Sequence, residues 1–536
     1  MYKIERKIIF LTIMVLLAGL IAGCKAPEKD NPLTDLGATV GSLVEVVLPE
    51  SISVEGYGLV SGLNRTGSSE CPAEVRSYLS RYIMKQLSEG SVSQTSQLIN
   101  SLNTAAVLIE GIMPVENAQS NYFNIKVTAL QGTQTTSLEN GWLFTSELMV
   151  TGSFGIKTDV LASAEGPVFI NQIDESETNL RTGHILAGGK ILKEYKIVLL
   201  LRNADYELTN IIRNRLNQRF GANVANAVMA GRVEIIVPDR YKYEKSKFVS
   251  MIRSMYLTET PEIMQQRINV LAEQLAVSPG IDDYEFALET IGRQSLGALG
   301  VLLGLSDEHV RLRAARCMIN LGNDSGLEIL RQIAMNRNSD YRIEAIEAIA
   351  KASKKQEAAS VIQRLLYDEN FEIRLAAYEQ LRKMNDFVVK REAVGRSFFL
   401  EQIAQAERKE IYVTRSGRPR IVLFGTPLYC DKGIFIQSKN GEITVNSPPD
   451  QEYVSLIRKH PRLEGGFSQM RSSFELGDII RTLCEEPPGE DEEIRGGLGV
   501  SYADMIAILK QMCDRGAVIA TFHAGPLPKN DLNIKK

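Results

Sequence analysis

The chain has 536 residues, with 61 Lys and Arg against 65 Asp and Glu and a formal net charge of -4 at pH 7. That length leaves room for roughly two or three domains, and the near balance of charge excludes the clustered basic excess of a nucleic-acid binder. Four histidines and six cysteines without C-x-x-C or H-E-x-x-H spacing, and no G-x-S-x-G or G-x-x-x-x-G-K-[ST], leave no metal, cofactor or catalytic centre to expect.

The N-terminus sets Lys3, Arg6 and Lys7 ahead of an apolar run from Ile8 to Ile21 and closes it with Ala22-Gly23-Cys24. The run is short for a membrane span of about twenty residues. With its small-small-Cys end it reads as a lipoprotein signal over residues 1–24, Cys24 being the lipidated residue. Lys25 at the next position favours retention at the outer membrane, and residues 25–43, polar with Pro27 and Pro32, read as a tether.

A mixed α/β region is expected over 44–279. It opens on Gly56, Tyr57, Gly58, Gly62, Asn64 and Gly67, a run whose glycines suit positive φ or close backbone approach. The run reads as a tight structural or subunit-contact loop that lasts until about Pro72. Gly56, Gly58 and Gly62 have a dinucleotide-like spacing, but such a fingerprint needs a strand before it and a helix at once after it. Val75, Leu79, Tyr82, Ile83 and Leu87 then recur at helical spacing between Pro72 and Gly90. Phe123, Ile125, Val127 and Ala129 alternate with polar residues as a half-buried strand does. Tyr195 to Leu201 and Val233 to Val237 are further strands, with a helix between them on Leu208, Ile211, Ile212, Leu216 and Phe220.

From 280 to 394 the pattern becomes helical and repeats itself. Arg311-x-x-Ala314 recurs as Arg342-x-x-Ala345 and Arg374-x-x-Ala377, at spacings of 342 − 311 = 31 and 374 − 342 = 32, the period of a helical solenoid. Asp307, Asp340 and Asp368 each precede one of these arginines. Arg311, Arg342 and Arg374 therefore read either as a ladder internal to the repeats or as part of a partner surface. Asp282-Asp283 reads as surface charge.

Residues 395–528 are β-rich at first, with strands at Ile421 to Phe424 and Ile434 to Gln437 and a hairpin turn at Asn440-Gly441. Glu485 to Glu493 is an acidic, proline-bearing loop, and residues 529–536 form a tail. Ser501-Tyr502-Ala503-Asp504 starts a helix as a capping box, Met505, Ile508, Leu509 and Met512 give its apolar stripe, and Gly516 ends it before a strand from Ala517 to Phe522. A disulfide, Cys484 with Cys513 for instance, is left open.

Gly56-Tyr57-Gly58-Leu59-Val60-x-Gly62-Leu63-Asn64-x-Thr66-Gly67 resembles the N-terminal signature of the flagellar basal-body P-ring protein family, with Ser68 where that signature carries Asp. Thr104-Ala105-Ala106-Val107, Ile125 through Gly132, Ser137-Leu138-x-x-Gly141 and Leu201 through Tyr206 continue the resemblance, and Leu498 through Val518 is similar to the family's C-terminal end. The repeats in turn resemble short HEAT repeats. Together these imply an α+β chain in which P-ring-like mixed α/β domains, over 45–278 and 470–523, are interrupted by a HEAT-like α-solenoid insertion. The resemblance implies a structural protein rather than an enzyme. It would be a homo-oligomeric periplasmic ring around the flagellar rod that acts as a bushing, with the rod, the L-ring protein and peptidoglycan as neighbours. A reading of another class makes the chain an outer-membrane-tethered adaptor that binds an unknown protein partner through its repeats. A nucleotide-using enzyme built on Gly56, Gly58 and Gly62 is the third.

Overall fold

The structure is a computed structural model, described over residues 36–86, 92–116, 118, 120–153, 158–174, 179–258, 260–459, 466–487 and 496–528. The signal, Cys24, most of the stretch read as a tether and the acidic residues 488–495 lie outside the described residues. The end of that stretch is packed chain. Thr39 caps a short helix α1 (Val40–Leu43) by accepting from the Ser42 amide, Val40 is fully buried, and its amide donates to the Met255 carbonyl at 2.8 Å. Strand β1 (Val44–Val47) follows directly.

Six strands then close on themselves: β2 (Ser51–Ser61), β3 (Ala105–Pro114), β4 (Tyr122–Ala129), β5 (Trp142–Val150), β6 (Ala162–Pro167) and β7 (Thr182–Ile191), in the order β2-β3-β4-β7-β6-β5. The alternation read in the sequence at Phe123 to Ala129 is β4, whose apolar set, with Val54, Val60, Val107, Ile109, Leu143 and Ile185, fills the barrel. Closure leaves no unpaired edge. Helices α2 (Ala73–Gln86) and α3 (Val92–Ile99) cover the outside of β2 and β3, where Leu59, Val75, Leu79, Ile99 and Ala106 form a separate small core.

Strand β8 (Ile197–Leu201), helix α4 (Tyr206–Phe220), β9 (Ala225–Met229), β10 (Arg232–Ile235) and α5 (Lys245–Arg253) build the second module around an antiparallel sheet of order β1-β8-β10-β9. Asp205 starts α4 by accepting from the Glu207 and Leu208 amides, and Phe220, Tyr241 and Phe248 pack ring to ring beneath the sheet.

The helical block begins earlier than the repeat spacing predicts. Thr260 caps α6 (Pro261–Val277), whose proline sits where a helix has an unpaired amide anyway. There follow α7 (Asp282–Ile291), α8 (Leu296–Leu302), α9 (Glu308–Asn320), α10 (Leu327–Met335), α11 (Arg342–Ile349), α12 (Lys355–Arg364) and α13 (Phe371–Lys383). Helices α7, α9, α11 and α13 stack side by side, with α8, α10 and α12 between them in sequence. The block also ends sooner than the expected boundary at 394, because Lys390–Val394 is already strand β11.

The third module holds two sheets. Strands β11, β12 (Phe398–Ile403), β13 (Glu410–Val413) and β14 (Arg420–Phe424) belong to one; β15 (Ile434–Gln437), β16 (Ile443–Ser447), β17 (Val454–Lys459) and β18 (Phe467–Ser472) form the other. Helices α14 (Leu476–Cys484) and α15 (Tyr502–Asp514) precede β19 (Thr521–Ala524), which completes the first sheet in the order β11-β12-β14-β13-β19. The capping box and the hairpin stand as read: Ser501 accepts from the Asp504 amide, Gly516 has φ +71°, and the Ser438 amide closes the Asn440-Gly441 turn on the Ile443 carbonyl. Cys484 and Cys513 are free thiols, as are Cys71, Cys317 and Cys430. Among the described residues no helix is long and apolar enough to cross a membrane.

Candidate functional site

Half of the glycine-rich run is not loop. Gly56, Tyr57 and Gly58 lie within β2, in the wall of the barrel. A Cβ on Gly56 would stand 2.3 Å from the Glu147 carbonyl oxygen, and one on Gly58 2.6 Å from Ser146 Oγ and 2.7 Å from Leu143 Cδ1. The register of β2 against β5 shifts between Glu55 and Val60, so β5 presses into β2 at the positions that lack side chains. Gly62 ends the strand at φ +80°, with Asn64 in the bend that follows. Gly67 lies flat on the turn before β3, its absent Cβ 2.1 Å from the Thr104 carbonyl. Tyr57 points outward and packs on the small core under α2 and α3. Ser68 is buried and its hydroxyl accepts from the Glu70 and Gln134 amides at 3.1 and 3.2 Å, a capping duty an aspartate could share. Three of the signature glycines therefore serve contacts within one chain.

The three repeat arginines differ. Arg342 is buried, donates from Nε to the Ala334 carbonyl at 2.9 Å and pairs with the Asp368 carboxylate. Arg374, 1% exposed, donates to the Asp368 carbonyl and to both oxygens of Glu410. Asp368 thus joins two successive repeats. Arg311 is only partly buried, and its Nε has no hydrogen-bond partner among the described residues. A stronger ladder sits two and five residues further on. Arg316 holds Glu285 in a two-pronged pair at 2.8 and 2.6 Å, and Arg313 pairs with both Glu285 and Asp282. Asp282, read in the sequence as plain surface charge, is therefore engaged. The missed signal was present: Asp282-x-x-Glu285 precedes Arg313-x-x-Arg316 by 31 residues, the repeat period itself.

The helical block is fastened at both ends. On the side of the second module, Arg219 donates to the Thr290 and Glu289 carbonyls at 2.6 and 2.7 Å, and Lys247 pairs with Glu289 at 2.8 Å. On the side of the third module, Arg374 holds Glu410, the Tyr378 hydroxyl bonds Glu401, Arg420 pairs with Glu379 at 2.8 Å, and Phe371 stacks on His523 with ring centroids 3.6 Å apart. Ile403, Val422 and Phe424 of the sheet share one core with α10 to α13.

Residues 40–272 match the family model described as flagellar P-ring protein. The match opens at the buried Val40 of α1 and takes in the barrel, the second module and most of α6, so its limits follow the packing rather than cut across it. Over residues 40–272 the chain is similar to flagellar P-ring proteins. The flagellar P-ring protein of Campylobacter lari is 24% identical over 245 residues, covering 43% of this chain and 66% of that protein. One from Helicobacter pylori is 25% identical over 214 residues, 38% of this chain and 58% of the relative. One from Hydrogenovibrio crunogenus is 26% identical over 220 residues, 38% of this chain and 56% of the relative. The chain thus spans about six-tenths of the length of the P-ring relatives it matches. Among solved structures, an engineered protein aligns over 27% of this chain at 19% identity with a TM-score of 0.18, too low to speak for the fold. The P-ring match does not take in the helical block beyond α6, nor the residues 470–523 in which the sequence shows a second resemblance.

The P-ring-like part is joined to the third module through partly buried polar groups. Asn124 on β4 donates to Ser416 Oγ at 2.8 Å and accepts from the Gly417 amide at 2.9 Å. Gln172 donates to both Glu139 and, at 3.3 Å, Asp504 Oδ1. Asp504 is 4% exposed, and burial raises its pKa against the pull of Ser501, Gln172, Asn140 and Arg458. Burial, then the neighbouring carboxylates, likewise raises Glu139 and Glu442. The folded chain therefore holds these protons more tightly than the unfolded one. Their contribution to stability is fully present below the ordinary carboxylate range, about pH 4, and is lost as pH rises through the raised values. D504N is expected to melt increasingly above the parent as pH rises from about 4 to about 7. Thermal unfolding of both proteins across that range checks it, and parallel curves would refute the role of Asp504.

Proposed function

We propose that the protein is a structural component of a periplasmic ring, resembling the P ring that surrounds the flagellar rod as a bushing, and that it catalyses no reaction. The observation that carries this reading is the family match over 40–272, which falls on a closed barrel and a sheet module with the signature glycines in its wall. Copies would associate side by side by a head-to-tail contact whose rotation closes. In the flagellar basal body, neighbours in the manner of the P ring would be the rod, the L-ring protein and peptidoglycan.

Lipidation at Cys24 would hold the ring to the outer membrane, and the HEAT-like block over α7 to α13, fixed at both ends, would add a rigid face to the ring for a protein partner. Its seams support an added face over a swinging arm, because buried ion pairs at both ends hold one orientation. Extraction of the native protein from envelopes in mild detergent, followed by electron microscopy, is expected to show closed rings, some seated on rods. A uniform monomer, or a one-to-one complex with another protein, would overturn the ring and leave the tethered adaptor.

A further inference from the structure

Where the barrel meets the second module, a narrow cleft is lined by Met113, Val115, Asn121 and Ile191 from the barrel side, by Glu194 at the junction, and by Lys242 and Lys245 from the other side. Its free volume, about 20 Å³, is room for about one water-sized group. Lys245 is the first residue of α5 and only 8% exposed, yet it makes no ion pair or side-chain hydrogen bond among the described residues. Burial, with Lys242 beside it, lowers its pKa, and Glu194 opposes that. Glu194 is already paired with Lys242 at 3.3 Å, so two ammonium groups share one carboxylate.

The helix adds to this imbalance. The N-terminus of α5 carries no acid in its first turn and no side-chain cap, since the carboxylate of Glu244 is drawn away to Lys351. The helix then carries Lys245 at its positive end, with Lys242 just before it in sequence, the arrangement a helix end ordinarily avoids. Lys245 buries its stem while its ammonium, with no partner of its own among the described residues, stays open to a negative group at the cleft.

We propose that this cleft is an anion site that takes a single carboxylate group, with Lys245 as its principal contact and Lys242 beside it. The small volume admits one oxygen of a carboxylate from the mouth of the cleft and excludes a whole tetrahedral oxyanion. The group can come from a free small acid or from an acidic side chain of another copy, and bound there it ties the barrel to the sheet module. The inference does not depend on ring assembly.

The full-length protein would be melted in sodium acetate and in sodium chloride at equal ionic strength. The parent is expected to melt about 2–4 °C higher in acetate. K245M should lose that difference and melt no lower than the parent in chloride, because methionine keeps the apolar stem and removes the unpaired charge. Where the carboxylate comes from another copy, the melting point in chloride rises with protein concentration for the parent and not for K245M. Should K245M not fold, trace labelling of parent lysines with an amine reagent gives the same answer: acetate is expected to lower labelling of Lys245 about threefold while leaving the exposed Lys196 unchanged. Equal acetate and concentration effects in parent and variant, or labelling of Lys245 indifferent to acetate, would overturn the proposal.

Discussion

Replacement of Gly56 by alanine is expected to cost the chain its barrel. The added Cβ would lie 2.3 Å from the backbone oxygen of Glu147, with the Leu148 side chain at 3.1 Å, so the obstacle is the neighbouring strand and not a movable side chain. Overpacking a well-filled core costs about 1–3 kcal/mol when side chains can shift. Here β5 itself must retreat, and with it the pairing of Val54 and Glu55 to Val150 and Met149. A loss of at least about 3 kcal/mol follows, enough to unfold a marginally stable domain. A control sits in the same chain: Gly297, in α8, has open space where its Cβ would go and a helical neighbourhood. G297A should be neutral or stabilising by about 0.5–1 kcal/mol. Urea unfolding of the two variants side by side decides the matter. A G56A protein as stable as G297A would mean that β5 is looser than the geometry implies.

That prediction also shows where the sequence could be read and where it could not. Alternation at Phe123 to Ala129 and the capping box at Ser501 are local signals, and both elements are where the pattern puts them. The glycine run carries a local signal too, but an ambiguous one. Gly56 and Gly58 are permissive because Glu147 and Ser146 approach from a strand about ninety residues away, and no short-range pattern distinguishes that from a turn. The helical repeat was legible from its period, and so in principle was the pairing of Glu285 with Arg316, one period apart. What lies across modules was not. Glu401 and Glu410 look like ordinary strand residues until α13 is laid against them, and Lys245 looks like a surface lysine until the barrel covers it.

The seam between α13 and the third module should fail in a recognisable way when Arg374 is removed. R374M leaves Glu410, whose side chain is 6% exposed, with only His523 at 3.4 Å beside its carboxylate among the ion-pair partners of the described residues. Breaking a buried pair from one side costs about 3–5 kcal/mol, because the remaining charge keeps its desolvation penalty without its partner. R374M with E410L should recover most of the loss, since two apolar side chains in a core that already holds Phe371 and Phe424 carry no such penalty. Hydrogen exchange separates this from a general weakening. Amides of α13 and β13 should lose protection first, while the barrel amides of β3 and β4, which share no core with the seam, keep theirs. A single variant costing under about 1 kcal/mol, or one that opens the barrel as readily as the seam, would mean that the pair is a surface decoration. In that case the helical block would be free to move against the part that matches the P-ring family, and the fixed added face proposed for it would have to give way to a mobile one.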